Sequence, residues 1–230
     1  MLLERFARAP ETAMSADEPA ETIAAAVQKP RKSRKTSISF ILRCVLVLAI
    51  VIGLGMIAYR GYRANQATAA AVAELARLST DRTLIDAIVA QNAQTYRLKP
   101  DDIAALDRQY QADMKSKSGT AIELMSRPAS QMLRNYVDGA QDRIVLIMLT
   151  DRTGLNVAAS RLTHDYWQGD EEKFTQTMPL GPGAIHWGEA ESDDVTGRVM
   201  HIVARTVTDP KTGEPIGAIA IGYDKVALGR

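Results

Sequence analysis

The chain has 230 residues, of which 46% are apolar, 24% charged and 5% aromatic, with a formal net charge of +1 and a pI near 7.8. That length allows one sizeable core with appendages, and the balanced charge excludes the broad basic surface of a nucleic-acid-binding protein. Cys44 is the single cysteine, which excludes an intramolecular disulfide and a thiolate metal cluster. His164, His186 and His201 lack the spacing that sets two ligands on one helix face, so no metal and no cofactor are expected.

Residues 1–37 are rich in Ala, Pro, Glu and Lys and poor in large apolar side chains, too few to offset the ordering entropy of a packed unit. They read as a disordered cytoplasmic tail. Residues 38–59, "ISFILRCVLVLAIVIGLGMIAY", are long enough at about 1.5 Å per residue to cross a hydrocarbon core of roughly 30 Å as a helix. Their one charge, Arg43, lies near the end from which it can snorkel to the headgroups. The basic run "KPRKSRK", Lys29 to Lys35, precedes them, and the positive-inside rule then sets the N-terminus in the cytoplasm and everything after Tyr59 outside. The expectation is a single-pass signal anchor in the inner (cytoplasmic) membrane with a periplasmic or extracellular C-terminal part.

Residues 60–95 read as a helical stalk, with Leu75, Leu78, Ile85, Ile88 and Val89 on one face. Arg82 and Asn92 interrupt its heptad seam, so packing on its own domain stands beside a dimeric coiled coil, and a weak homodimer is expected. A second helix starts at "KPDD", where Pro100 suits the first turn and Asp101 and Asp102 favour the positive end of the dipole. A third runs from about Ser126 to Asp138, stopped by Gly139. The period then changes. "RIVLIMLT" (143–150), "LNVAAS" (155–160), "AIHWGEAE" (184–191), "RVMHIVARTV" (198–207) and "IGAIAIGYD" (216–224) read as strands, with "DRTG", "SDDVTG" and "DPKTGEP" as hairpin turns. The stalk helix and two shorter helices, followed by five strands, describe an α+β fold with one antiparallel sheet, residues 96–230 forming the domain beyond the stalk.

The series "LDRQY" (106–110), "RPASQMLRNYV" (127–137), "LTDRTGLNVAASRLTHDYWQGDEEKF" (149–174) and "TDPKTGEPIGAIAIGYD" (208–224) resembles the extracytoplasmic PAS-like sensor domains of the Cache group, of the single-module kind with a DYWQGDE loop. The resemblance runs from about residue 70 to 225. It implies a long membrane-proximal helix on a five-stranded sheet, with a small-molecule pocket between the sheet and the loops covering it. Such domains usually sit between two membrane helices, ahead of a kinase, cyclase or chemotaxis output domain. This sequence ends at Arg230, just past the last predicted strand, so output through a separate signalling or transport membrane protein is expected.

Within "THDYWQGDEEKF", Tyr166 and Trp167 would wall a pocket, and Asp165, Asp170 and Glu171 would accept bonds from a cationic or polyhydroxy ligand. A second reading has Tyr166 and Trp167 pinning the loop to the core and Asp170 to Lys173 forming a solvated helical turn. On the fourth strand, alternation sets His201 and Arg205 on one face, where they would meet a ligand carboxylate or else pair across strands. Asp165 and Asp170 come with no nucleophile elbow, phosphate loop or metal spacing, so no enzyme is expected. The function expected is recognition of an amine, amino acid or carboxylate in signal transduction. Its rival is an accessory or scaffold subunit of an envelope complex that keeps the fold without a ligand.

Overall fold

The computed structural model describes residues 34–193 and 196–228, so the tail expected over residues 1–37 falls, up to residue 33, outside the described residues. Helix α1 (Arg34–Ser79) contains no proline and is one continuous helix of 46 residues. It is the one described helix long and apolar enough to cross a membrane, and the side chains of its apolar stretch are exposed. Further along, Ala71, Leu75 and Leu78 are buried against a core.

The expected stalk is broken in two. Ser79 and Thr80 hydroxyls bond back to the carbonyls of Ala76 and Arg77, closing α1. Asp81 then caps α2 (Arg82–Thr95), its carboxylate accepting from the amides of Thr83 at 2.9 Å and Leu84 at 3.3 Å. A short polar side chain that bonds the backbone competes with the helix ladder, and here it wins. Helix α3 (Pro100–Ser116) begins where "KPDD" predicts, with the Lys99 amide donating to Asp102 at 2.9 Å. It ends at Lys117, φ 52°, which is left-handed. Next comes α4 (Gly119–Ser126), which periodicity missed. Its start depends on Gly119 at φ +52°, where a Cβ would meet the Asp113 carboxylate at 2.2 Å, and that carboxylate caps the Thr120 amide. Helix α5 (Pro128–Asp138) follows directly.

The five strands lie close to their predicted positions: β1 (Ile144–Asp151), β2 (Asn156–Ala159), β3 (Ile185–Ser192), β4 (Val199–Thr208) and β5 (Pro215–Asp224). They form one sheet in the order β2-β1-β5-β4-β3, every neighbouring pair antiparallel, so the fold is α+β. Hairpins join β1 to β2, β3 to β4 and β4 to β5. Strands β2 and β3 are the two edges, so the chain between them must traverse the width of the sheet. That connection carries α6 (Glu172–Thr175) and a 3-10 turn at Met178–Leu180.

The central strand β5 and its neighbour β1 are buried on both faces, which is why they read as near-continuous apolar runs. On one face Ile147, Leu149, Val203, Val207, Ile219 and Ile221 meet α1, α2 and α5 through Leu75, Leu78, Ile88 and Leu133. This face also holds a polar clasp. The hydroxyls of Tyr136 and Tyr223 donate to the two oxygens of Glu74 on α1, at 2.5 and 2.7 Å, with Arg143 at 3.8 Å. Burial and then the Glu74 bond push both phenols above the ordinary tyrosine range. On the other face Leu146, Met148, Met200, Ile202, Ala204 and Ala220 meet Tyr110 of α3, Leu124 of α4 and Tyr166 of the β2–β3 connection.

Candidate ligand-binding site

The start of the β2–β3 connection is tied down by side chains distant in sequence. Asp107 on α3 accepts from the consecutive amides of Tyr166 and Trp167 at 2.8 and 3.0 Å. Tyr110, one turn on, donates its hydroxyl to the Thr163 carbonyl and accepts from the Thr163 amide, at 3.1 and 3.2 Å. Its ring stacks on that of Tyr166 at 5.3 Å between centroids. Asn156 bonds Thr163 and the carbonyl of Asp165. "LDRQY" is thus the clamp for "DYW".

The same segment adds a short ladder beside the β1–β2 turn. The Asn156 amide donates to the Tyr166 carbonyl, that of Gln168 to the Gly154 carbonyl, and the Trp167 indole N–H to the Thr153 carbonyl at 2.8 Å. Two glycines permit this approach. A Cβ on Gly154, at φ +87°, would lie 2.5 Å from the Gly169 Cα, and one on Gly169 would lie 2.3 Å from the Trp167 ring. Beneath the turn, buried Asp151 accepts from the amides of Thr153 and Leu155 with one oxygen, and from Gln91 and Thr95 with the other.

A cavity of about 130 Å³ lies between the pinned segment and the sheet. Leu146, Met148 and Met200 line it from the sheet. Thr163, His164, Asp165, Gln168, Glu171 and Lys173 line it from the connection, and Glu191, Ser192 and Asp193 from the end of β3. An adjoining hollow of about 340 Å³, between α6 and β3, shares Glu171, Lys173 and Glu191 and adds Glu172, His186 and Glu189. The carboxylates Asp165, Glu171, Glu191 and Asp193 line the cavity, with the cations Lys173 and Arg161 beside them. Arg161 Nη2 is 2.7 Å from Asp193 Oδ1. Burial alone would raise the Asp193 carboxyl, but the bonds from Arg161 and Thr196 outweigh it and hold it below the usual carboxylate range. Asp165 accepts from Gln111 at 2.8 Å and lies 2.9 Å from His164 Nδ1. Lys173 Nζ is 3.7 Å from Glu171. Apolar on one side and acidic on the others, the space suits a small molecule bearing a positive group. Among the described residues no set of three or more His, Cys, Asp or Glu side chains is grouped to hold a metal.

No protein-family model matches the sequence, and no curated protein matches it. Solved structures do. The chain is similar in fold to solved sensor and ligand-binding domains of histidine kinases and chemoreceptors. The sensor domain of the V. cholerae histidine kinase DctB matches with a TM-score of 0.41 and 17% identity, covering 73% of this chain and 55% of that one. The ligand-binding domain of the Campylobacter jejuni chemoreceptor Tlp3 in complex with L-valine matches with a TM-score of 0.37 and 12% identity, covering 73% and 65%. The same domain with 4-methylisoleucine gives 0.37 and 11%, covering 66% and 64%. The chain thus spans a little over half to just under two thirds of the length of these solved chains.

Of the residues singled out in the sequence, Asp165 and Glu171 line the cavity. Tyr166 and Trp167 do not: the first is buried on Tyr110 and the second is bonded to the β1–β2 turn, as in the pinning reading. Asp170 is exposed and outside the cavity lining. His201 and Arg205 do share a face of β4, but it is the opposite face. They stand across from Tyr223 and Ile219, whose side chains belong to the core under α1 and α2. Alternation groups β4 residues in two sets, and only the path of the β2–β3 connection decides that the Met200 set faces the cavity. Asp193 and Arg161 were missed because "SDDVTG" reads as a turn and their pairing spans two strand ends. No local signal announces it.

Proposed function

We propose that the chain is a membrane-anchored extracytoplasmic sensor domain that binds a small cationic or zwitterionic molecule and passes the information to a separate membrane protein. The observation carrying this reading is the cavity under the pinned connection, with an apolar floor of Leu146, Met148 and Met200 and carboxylates around it. Asp165 and Glu171 are the proposed ligand-binding residues, joined by Asp193 and Glu191; no catalytic role is assigned. The apolar stretch of α1 supports anchoring, and the basic run Lys29 to Lys35 supports a cytoplasmic N-terminus. The division into a tail over 1–37, an anchor over 38–59, a stalk over 60–95 and a sensor over 96–230 belongs to the same proposal.

One observation favours the rival reading of a scaffold without a ligand: Tyr166 and Trp167, the aromatics of the characteristic loop, are spent on internal bonds. The full chain in lipid nanodiscs, screened by thermal shift against amines, amino acids and carboxylates, separates the two. A ligand at one hundred times its Kd adds about 2.7 kcal/mol to the folded state. Stabilisation by an amine or amino acid, lost in Asp165→Asn, supports the sensor. No shift with any compound supports the scaffold.

A further inference from the structure

A second cavity, of about 370 Å³, lies at the β2 edge between α2 and the junction of α4 and α5. It shares no lining residue with the first. Its wall is apolar, from Ala87, Ala129 and Val157, and two opposite charges, Glu123 and Arg127, stand beside that wall.

Arg127 is held in one orientation. It sits between α4 and α5 in extended conformation, and its Nη1 donates to Gln91 Oε1 at 2.8 Å and to the Val157 carbonyl at 2.9 Å. Both hydrogens of that nitrogen are used. Nη2 points to Glu123 Oε1 at 3.5 Å, too far for a good hydrogen bond, and the Glu123 side chain is 69% exposed. A fixed guanidinium whose Nη2 makes no close hydrogen bond and an exposed carboxylate one helical turn away therefore stand side by side over an apolar wall. An α-amino acid carries a carboxylate and an ammonium on one carbon, close enough together to meet both at once, with the side chain projecting to one side.

We infer that this cavity is a second binding site, for a zwitterionic α-amino acid with an aliphatic side chain: the carboxylate on Arg127, the ammonium on Glu123, and the side chain against Ala87, Ala129 and Val157. The site is wired to the first. Gln91, which orients Arg127, also donates to Asp151, and Asp151 holds the turn on which Trp167 is anchored. Arg127 faces the Tyr166 phenol as well. An occupant of the second cavity would thus act on Tyr166 and Trp167, within the segment that covers the first.

The test is calorimetric titration of the full chain in nanodiscs with L-leucine, 4-methylpentanoate and 3-methylbutylamine. Expected is saturable binding of L-leucine, with the two single-charge analogues at least tenfold weaker. Ala90 and Glu123 are both exposed, so substitutions there leave the core intact. Ala90→Trp fills the cavity from its rim and abolishes binding, and Glu123→Gln weakens it at least tenfold. The inference is overturned by absence of saturable leucine binding, by unchanged affinity in Ala90→Trp, or by loss of binding in Asp165→Asn, which would locate leucine in the first cavity.

Discussion

The face of the sheet under α1, α2 and α5 is closed mainly by apolar side chains, from Leu75, Ile88 and Leu133 to Ile147, Ile219 and Ile221, whereas on the opposite face a second apolar cluster is joined by hydrogen bonds to the backbone of a connection crossing the sheet. There Asp107, Tyr110 and Asn156 bond the backbone of the connection laid over the sheet. Helices with an apolar stripe can exclude water completely; a connection crossing a sheet brings its own polar backbone, and side chains must satisfy it. Beside that pinned stretch a cavity with an apolar floor and acidic walls remains. On the proposed reading, stability and binding are divided between the faces, which can be tested by breaking each.

The largest effect belongs to the helix-covered face. Leu133→Ala, at a fully buried position, is expected to cost about 4 kcal/mol in denaturant unfolding, with the whole sheet losing protection together. A loss under about 1 kcal/mol would mean that this face does not carry the stability. Trp167→Ala on the other face is expected to cost about 3 kcal/mol, since a half-buried ring and its bond to Thr153 go together. Asp107→Ala comes next, at about 2 kcal/mol. It should speed hydrogen exchange of the Tyr166 and Trp167 amides while leaving Ile147 and Ile219 protected. Equal acceleration everywhere would show that the two faces open as one unit.

A smaller effect is confined to acid. The Asp193 carboxyl is depressed in the fold, so it contributes stability above the unfolded value of about 3.9 and loses it as pH falls through the lower folded value. The melting temperature of Asp193→Asn should therefore decline less than that of the parent below about pH 4. Parallel curves would remove the Arg161 pair from the account. Smallest in stability is Asp165→Asn, within about 0.5 kcal/mol because the shape is kept, though it should weaken a cationic ligand roughly tenfold or more by removing a charge-assisted bond. A variant that binds the ligand as the parent does would take the cavity out of the binding role.

Sequence by itself determined the elements whose signal is local. The apolar run at the start of α1, the Pro-Asp-Asp opening of α3, the five alternating or apolar strands and their three hairpin turns are each written in consecutive residues, because solvent, dipole and pleat act on neighbours along the chain. Antiparallel pairing within hairpins follows from turn length alone. The break at Asp81 and the start of α4 at Gly119 needed more, since each depends on whether one carboxylate, Asp81 or Asp113, turns back to cap a backbone amide. The candidate site needed the most. Asp165 and Glu171 were legible as acids in an unusual loop, but Tyr166 and Trp167 are held away from the cavity because Asp107, Tyr110 and Thr153, each distant in sequence from the pair or across a turn, bond or stack on them. His201 and Arg205 lie under the helices because the β2–β3 connection crosses the other face of the sheet. Which face a connection crosses is set by the packing of the whole chain, and a strand's alternation is the same whichever way it faces.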